Sequence, residues 1–175
     1  MLSIELRMLL APDLADSLEG LVQHGCISFE VPGDCVPKGR GRAFVQKHGK
    51  AAGRVMVHTP KATRSFEAKV RSYFCEAIPD LPDWRPSPLR CSLSVLSIIR
   101  EPKSTPKWAR EQSAYRWRGK KPDVDNLAKS VADALNGVAW QDDAQIVAWH
   151  GFKLEGPRAE TRVLIQYFAD TERRS

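Results

Sequence analysis

The chain has no long apolar run. Nothing in its 175 residues approaches the ~18 consecutive apolar residues of a membrane-crossing helix. Near the N-terminus, Leu2, Leu6, Leu9 and Leu10 are interrupted by Glu5 and Arg7, and no small-residue cleavage site follows, which argues against a secretory signal. Cysteine is sparse and unpatterned. Cys26, Cys35, Cys75 and Cys91 form no C-x-x-C pair and have no histidine at zinc spacing, so reduced thiols in a cytoplasmic protein are expected. No G-x-x-x-x-G-K-[ST] occurs, which excludes a Walker-type phosphate cradle. Internal repeats and low-complexity segments are absent. No Ser–His or Cys–His hydrolase arrangement is recognisable, and His150 falls in an apolar strand without an evident partner.

What is present is ordinary in amount and uneven in placement. The length suits one domain with a real core. Lys and Arg number 27 against 21 Asp and Glu, a formal charge of +6 that favours a polyanion partner. Ile27, Phe29 and Val31 alternate as a strand. A basic run, Lys38-Gly39-Arg40-Gly41-Arg42 with Lys47, His48, Lys50 and Arg54, reads as a hairpin returning through Val55 and Val57. Thr59-Pro60 reads as a helix start, and Phe66, Val70 and Phe74 repeat at helical spacing, predicting a helix from about Lys61 to Ala77. Leu89, Cys91, Leu93 and Val95 alternate in a strand running to about Ile99. Residues 101–120 read as a long connector in which Lys103, Lys107, Arg110, Arg116 and Arg118 interleave with Trp108, Tyr115 and Trp117. That mixture suits phosphate contacts and base stacking, or equally a loop that solvates its charges. Ile146–Lys153 and Thr161–Phe168 read as a closing hairpin turned by residues 155–158. The order is strand, hairpin, helix, strand, helix, two strands: an α+β domain with a mixed sheet and two principal helices. It occupies residues 26–169, after an N-terminal extension (1–25) in which Asp13 can cap a short helix, and before a frayed tail (170–175).

The densest chemistry lies in KPDVDNLAKSVADALNGVAWQDDAQIV, Lys121 to Val147. Pro122 disfavours helix at Lys121, so a helix starts near Asp123, and Asn136-Gly137 stops it. Asp125, Lys129 and Asp133 then share a stripe opposite Leu127, Val131, Ala134 and Leu135. Asp142-Asp143 follow, at the start of the next strand. The helix from Asp125 to Asn136 climbs about 16 Å. The connector to Asp143 reaches back roughly 23 Å, so the acidic pairs can meet. Hard cations such as Mg²⁺ take carboxylate oxygens, and such a cation activates water and neutralises a phosphodiester in transit. Singly, each residue has a plainer explanation: Asp123 as an N-cap, Asp142-Asp143 as a turn, Lys129 in a surface ion pair. An EF-hand is ruled out, since its loop needs Gly at Ala128 and Glu at Ala134.

The stretch resembles the signature of the RusA-like Holliday junction resolvases, D-x-D-N-L-x-K, then D-A-L, then W-x-D-D-x-Q-[IV]-V. Pro32–Arg42 and His58–Glu67 extend the resemblance upstream, to roughly residues 26–168. It implies Asp123, Asp125 and Asp143 as metal-binding carboxylates, with Asp142 as a further candidate ligand, and Lys129 as the lysine that assists catalysis. The arginines that some members carry before the first acid are here only Lys120-Lys121-Pro122. The expectation is a Mg²⁺-dependent endonuclease that resolves four-way DNA junctions in recombination and repair, working as a homodimer. Lys38, Arg40, Arg42, Lys120 and Lys121 are the expected DNA contacts. The competing readings are a metal nuclease for other branched DNA and a DNA-binding module that cuts nothing.

Overall fold

In the computed structural model, which describes residues 23–39, 42–45, 55–58, 60–78 and 81–169, the alternating residues around Phe29 form β1 (Gln23–Pro32). The expected basic hairpin is present as β2 (Arg42–Val45) paired antiparallel with β3 (Val55–His58). The phenylalanine-spaced helix is α1 (Lys61–Glu76), and Pro60, with ψ 143°, occupies its N-cap position. Then come β4 (Arg90–Arg100), a short helix α2 (Lys107–Gln112), the two-residue β5 (Arg116–Trp117), α3 (Val124–Leu135), β6 (Ile146–Gly156) and β7 (Glu160–Phe168). Residues 1–22 and 170–175, with Arg40, Lys47, His48, Lys50, Arg54 and the Arg42 side chain, lie outside the description.

β1, β7, β4, β6 and β5 form one mixed sheet in that order, and β2–β3 stand apart. Only the β4–β6 pair is parallel. This corrects the closing hairpin expected from sequence. Residues 157–159 carry the chain across the end of β4, so β6 and β7 flank β4 and do not pair with each other. The reason lies in β4. Cys91, Leu93 and Val95 are buried on one face, and Ser92, Ser94 and Ile98 are buried on the other. A strand with neither face exposed gains most from neighbours on both edges. On the second of these faces Ser92 hydrogen-bonds Gln166 of β7 at 3.2 Å.

Both principal helices cover one face of this sheet. Phe66, Val70 and Phe74 of α1 and Ala128, Val131 and Leu135 of α3 share a core with Phe29, Val31, Leu93, Val95, Val163 and Ile165. Phe74 meets Phe29 and Trp84 edge-on, with ring centroids 5.9 and 5.8 Å apart. The connector expected over residues 101–120 holds α2 and β5, and β5 extends the sheet edge beside β6. All four cysteines are free thiols. No helix among the described residues is long and apolar enough to cross a membrane.

The start of α3 lies on bare backbone. A Cβ at Gly151 would stand 3.0 Å from Val124 Cγ2 and 3.9 Å from Ala128 Cβ. Gly151→Val should therefore push the first turn of α3 off the sheet. The expected cost is about 1–3 kcal/mol, read as a fall in urea midpoint without a change in slope. An unchanged midpoint would mean that the helix does not need this close approach.

Candidate functional site

Asp123 and Asp125 open α3. Asp123 is its N-cap residue, φ −73° and ψ 142°, but its carboxylate makes no capping hydrogen bond. The plain capping explanation of this acid therefore fails, and its side chain is left for other work. Asp125 and Lys129 are exposed on the outer stripe of the helix. Neither makes a side-chain hydrogen bond or ion pair with another described residue. Asp133, expected on the same stripe, has turned away. Each i,i+4 step drifts by about 40° round a 3.6-residue helix, so two steps carry Asp133 toward the loop before β2. There it pairs with Lys38.

The end of α3 and the turn after it are tied down from several directions. Arg71 Nε of α1 donates to Ala134 O at 2.7 Å, Trp84 Nε1 to Val138 O at 2.8 Å, and Tyr167 Oη to Ala139 O at 3.0 Å. Gly137, at φ 70°, ends the helix, as the Asn-Gly pair predicts. Its N–H donates to Trp140 O at 2.9 Å, which folds Trp140 into the core. The buried indole then donates from Nε1 to Asp143 Oδ1 at 2.9 Å. The charge of Asp143 is also felt at Cys91, whose thiol is pushed up to about 11 by burial first and by Asp143 second. Asp142, next in sequence, has a different task. Its Oδ1 accepts from Ala144 N at 2.8 Å, and Gln145 Oε1 accepts from Asp142 N, a capping box that starts the short 3₁₀ turn Asp143–Gln145. His150, read as structural, is half-buried on β6, and burial lowers its pKa.

Asp123 and Asp125 thus stand at the end of α3 that rests on Gly151. Asp143 is fixed to the turn beyond the helix's other end, near the first residues of β4 and β6. Among the described residues, no group of three or more His, Cys, Asp or Glu side chains is gathered that could hold a metal ion. The donor chemistry still fits a hard divalent cation. All three are carboxylates, Asp123 is uncommitted, and the second oxygen of Asp143 has no hydrogen bond to a described residue. Fit is therefore by ligand type, and the set is open in this conformation.

Of the cations expected to meet DNA, Arg40 and the Arg42 side chain lie outside the described residues, and the others divide into two groups. Lys120 and Lys121 are exposed, and their ammonium groups have no described partner. Lys38 instead bridges Glu67, at 2.9 Å, and Asp133. Burial opposes its charge, but the hydrogen bonds and charges of Asp133 and Glu67 outweigh this and raise its pKa. Its backbone N–H also donates to Asn126 O at 2.8 Å, which straps the loop to α3. In residues 101–120 the basic and aromatic residues separate. Arg110 and Arg116 pair with Glu101, at 2.9 and 2.8 Å, and Arg118 pairs with Glu155. Trp108 and Trp117 are left 68% and 67% exposed, while Arg116 and Arg118 are half-buried in their ion pairs and Arg110 stays exposed in its own. Sequence reasoning missed the tasks of Trp140, Arg118 and Lys153. Lys153 carried a usable signal: it lies two residues from Gly151, on the strand face that meets α3.

Compared with known proteins, residues 32–166 match the family model described as endodeoxyribonuclease RusA. Among curated proteins, the uncharacterized protein YqaN of Bacillus subtilis (strain 168) is 29% identical over 150 residues, covering 79% of this chain and 95% of that protein.

The Lys38 bridge yields a stability prediction. Lys38→Ala leaves Glu67 and Asp133 without their shared cation and should cost about 1–2 kcal/mol. Because the folded pKa of Lys38 lies above its ordinary 10.5, this contribution is complete below that value and fades as pH rises through the folded value. Denaturant titrations of wild type and Lys38→Ala should therefore differ at pH 8 and converge at strongly alkaline pH. Equal stabilities at pH 8 would show that the bridge adds nothing.

Proposed function

This chain belongs to the RusA endodeoxyribonuclease family, and on that footing we propose that it is a Mg²⁺-dependent nuclease resolving four-way DNA junctions by paired nicks. One observation carries the reading. Asp123, Asp125 and Lys129 remain exposed and unpaired among described residues, as do the ammonium groups of Lys120 and Lys121 just before them, while Lys38, Asp133, Arg116, Arg118 and Glu155 are all engaged in ion pairs. Solvated charges kept out of available ion pairs at a helix start suit a site that takes its partner from outside the protein.

In this proposal Asp123, Asp125 and Asp143 hold the cation, with the free oxygen of Asp142 as a further candidate. The bound cation would supply Lewis acidity and charge neutralisation at the phosphodiester. Lys129, one helical turn after Asp125, sets its ammonium beside the scissile phosphate and offsets the charge that grows there. Trp140 holds Asp143 by one oxygen and leaves the other for ligation. Lys120 and Lys121, together with Arg40 and Arg42, position the DNA backbone, and Lys38, engaged with Glu67 and Asp133, ties the described residues before them to the two principal helices. Trp108 and Trp117 offer ring faces to bases unstacked at a branch point.

The open acid set favours one second reading, a DNA-binding module that cuts nothing. A cutting assay separates the two. Asp123→Asn, Asp125→Asn and Asp143→Asn should each lower Mg²⁺-dependent cleavage at least about a hundredfold while four-way DNA still binds in EDTA. Lys129→Ala should lower kcat by a similar factor and leave junction affinity nearly unchanged. Near-normal cutting by one of the three Asp variants removes that residue from the site, and wild-type protein inert with Mg²⁺ establishes the binding module.

Symmetry is the second test. Two opposed strands of a junction must be nicked to leave two ligatable duplexes, and one site cannot reach both phosphates at once. A two-fold homodimer presents two copies of Asp123, Asp125 and Asp143. Sedimentation should therefore show a dimer, four-way DNA should outcompete linear duplex of equal length, and nicks should fall in symmetric pairs. A monomer leaving single unpaired nicks on any branched substrate would reduce the reading to a general branched-DNA nuclease.

A further inference from the structure

The segment leading into Asp123 is held by cations through its backbone. Lys153 Nζ, on β6, donates to Lys120 O at 2.8 Å and to Pro122 O at 2.5 Å. Arg118 donates to the carbonyl between them, from Nε at 3.2 Å and Nη2 at 2.9 Å to Lys121 O. Three successive carbonyls are thus gripped by two side chains. The grip is itself anchored: Arg118 Nη1 bonds Glu155, and Arg118 N donates to Lys153 O at 3.1 Å. No regular secondary structure holds residues 118–123. Asp123 does not steady itself by capping α3, so the direction of its carboxylate follows from the backbone just before it.

We propose that Lys153 and Arg118 are positioning residues that set the Asp123 carboxylate by clamping the carbonyls of residues 120–122. The proposal rests on the assignment of Asp123 to the nuclease site. A charged clamp suits the task, because charge-assisted hydrogen bonds to carbonyls are shorter and more directional than neutral ones. Lys153 has only its three ammonium hydrogens to give, and two are committed to this loop. It is therefore poorly placed to act as a DNA contact.

The test compares Lys153→Met, which keeps the length and removes the donors, with Lys153→Arg, which keeps them. Lys153→Met should lower kcat on four-way DNA by about tenfold to a hundredfold, the range expected for a small misplacement of a reacting group. Junction affinity in EDTA should stay within about twofold, because only one charge, half-buried and committed to this loop, is at stake. Mn²⁺ affinity of the free protein, read from the loss of its aqueous EPR signal, should weaken severalfold, and Lys153→Arg should restore most of both quantities. If Lys153→Met fails to fold, Arg118→Lys carries the same test, since it keeps the charge and cannot donate twice to Lys121 O while holding Glu155. Wild-type kcat and Mn²⁺ affinity in the folded variant overturn the proposal. Lost junction affinity at unchanged kcat overturns it too, by making Lys153 a DNA contact. Asp123→Asn is measured in parallel. If it is inactive while Lys153→Met is normal, the clamp alone is wrong. If it cuts normally, the assignment of Asp123 falls and the clamp falls with it.

Discussion

Helix α3 rests on β6 at Gly151, where the strand has no side chain to keep it away. Gly151 admits Val124 and Ala128, and that contact fixes both the height and the rotation of the helix. Turning α3 by one residue, about 100°, would drive Asp125 toward the apolar sheet and lift Leu127, Val131 or Leu135 out of it. The buried set forbids that. Two polar contacts secure the same position: Lys38 N reaches Asn126 O near the start, and Arg71 reaches Ala134 O near the end. Asp123, Asp125 and Lys129 are therefore exposed because the opposite face of the helix has no alternative seat.

Local patterning was enough to find this helix. Pro122, Asn136 and Gly137 bound it in sequence, and the observed limits, Val124 and Leu135, lie inside those marks. The phenylalanine spacing of α1 and the basic hairpin were legible for the same reason, since each depends on residues close in the chain. The partner of β6 was not. Whether a strand pairs with its successor or lets another between them is decided by how β4 buries both its faces, which depends on residues far apart in the chain, 74 positions in the case of Ser92 and Gln166. The drift of Asp133 out of line with Asp125 follows from the 3.6-residue period alone, but its pairing with Lys38, in a loop far back in the chain, could not be read from sequence.

Asp142 and Asp143 show where residue type stops being informative. They are adjacent and chemically identical, yet one faces the backbone of its own 3₁₀ turn and the other a buried indole. Trp140 makes the difference. A tryptophan sunk fully into a core must satisfy its N–H, and Asp143 Oδ1 is the acceptor that the turn brings within reach. The W-x-D-D pattern therefore has a structural reason of its own, separate from any ligand: the tryptophan supports one acid and the turn consumes an oxygen of the other.

The net charge of +6 says less about a nucleic-acid surface than the distribution of that charge. Several cations are spent inside the fold: Lys38 on two acids, Arg71 on a helix end, Arg110 and Arg116 on Glu101, and Arg118 and Lys153 on Glu155 and the carbonyls before Asp123. Removing such a residue changes the shape of the protein before it changes its field. Lys120, Lys121 and Lys129 differ, being exposed and without described partners within a few residues of Asp123 and Asp125. Acids and cations so close would ordinarily pair at little cost, since exposed ion pairs form and break freely. Here the clamp holds one side of the array and the rigid helix holds the other, so the charges stay open to solvent. On the proposed reading, a phosphodiester meeting this surface would find cations beside it and, between them, carboxylates that would repel it unless a divalent ion neutralised them. That is an electrostatic reason for phosphate and metal to be taken up together.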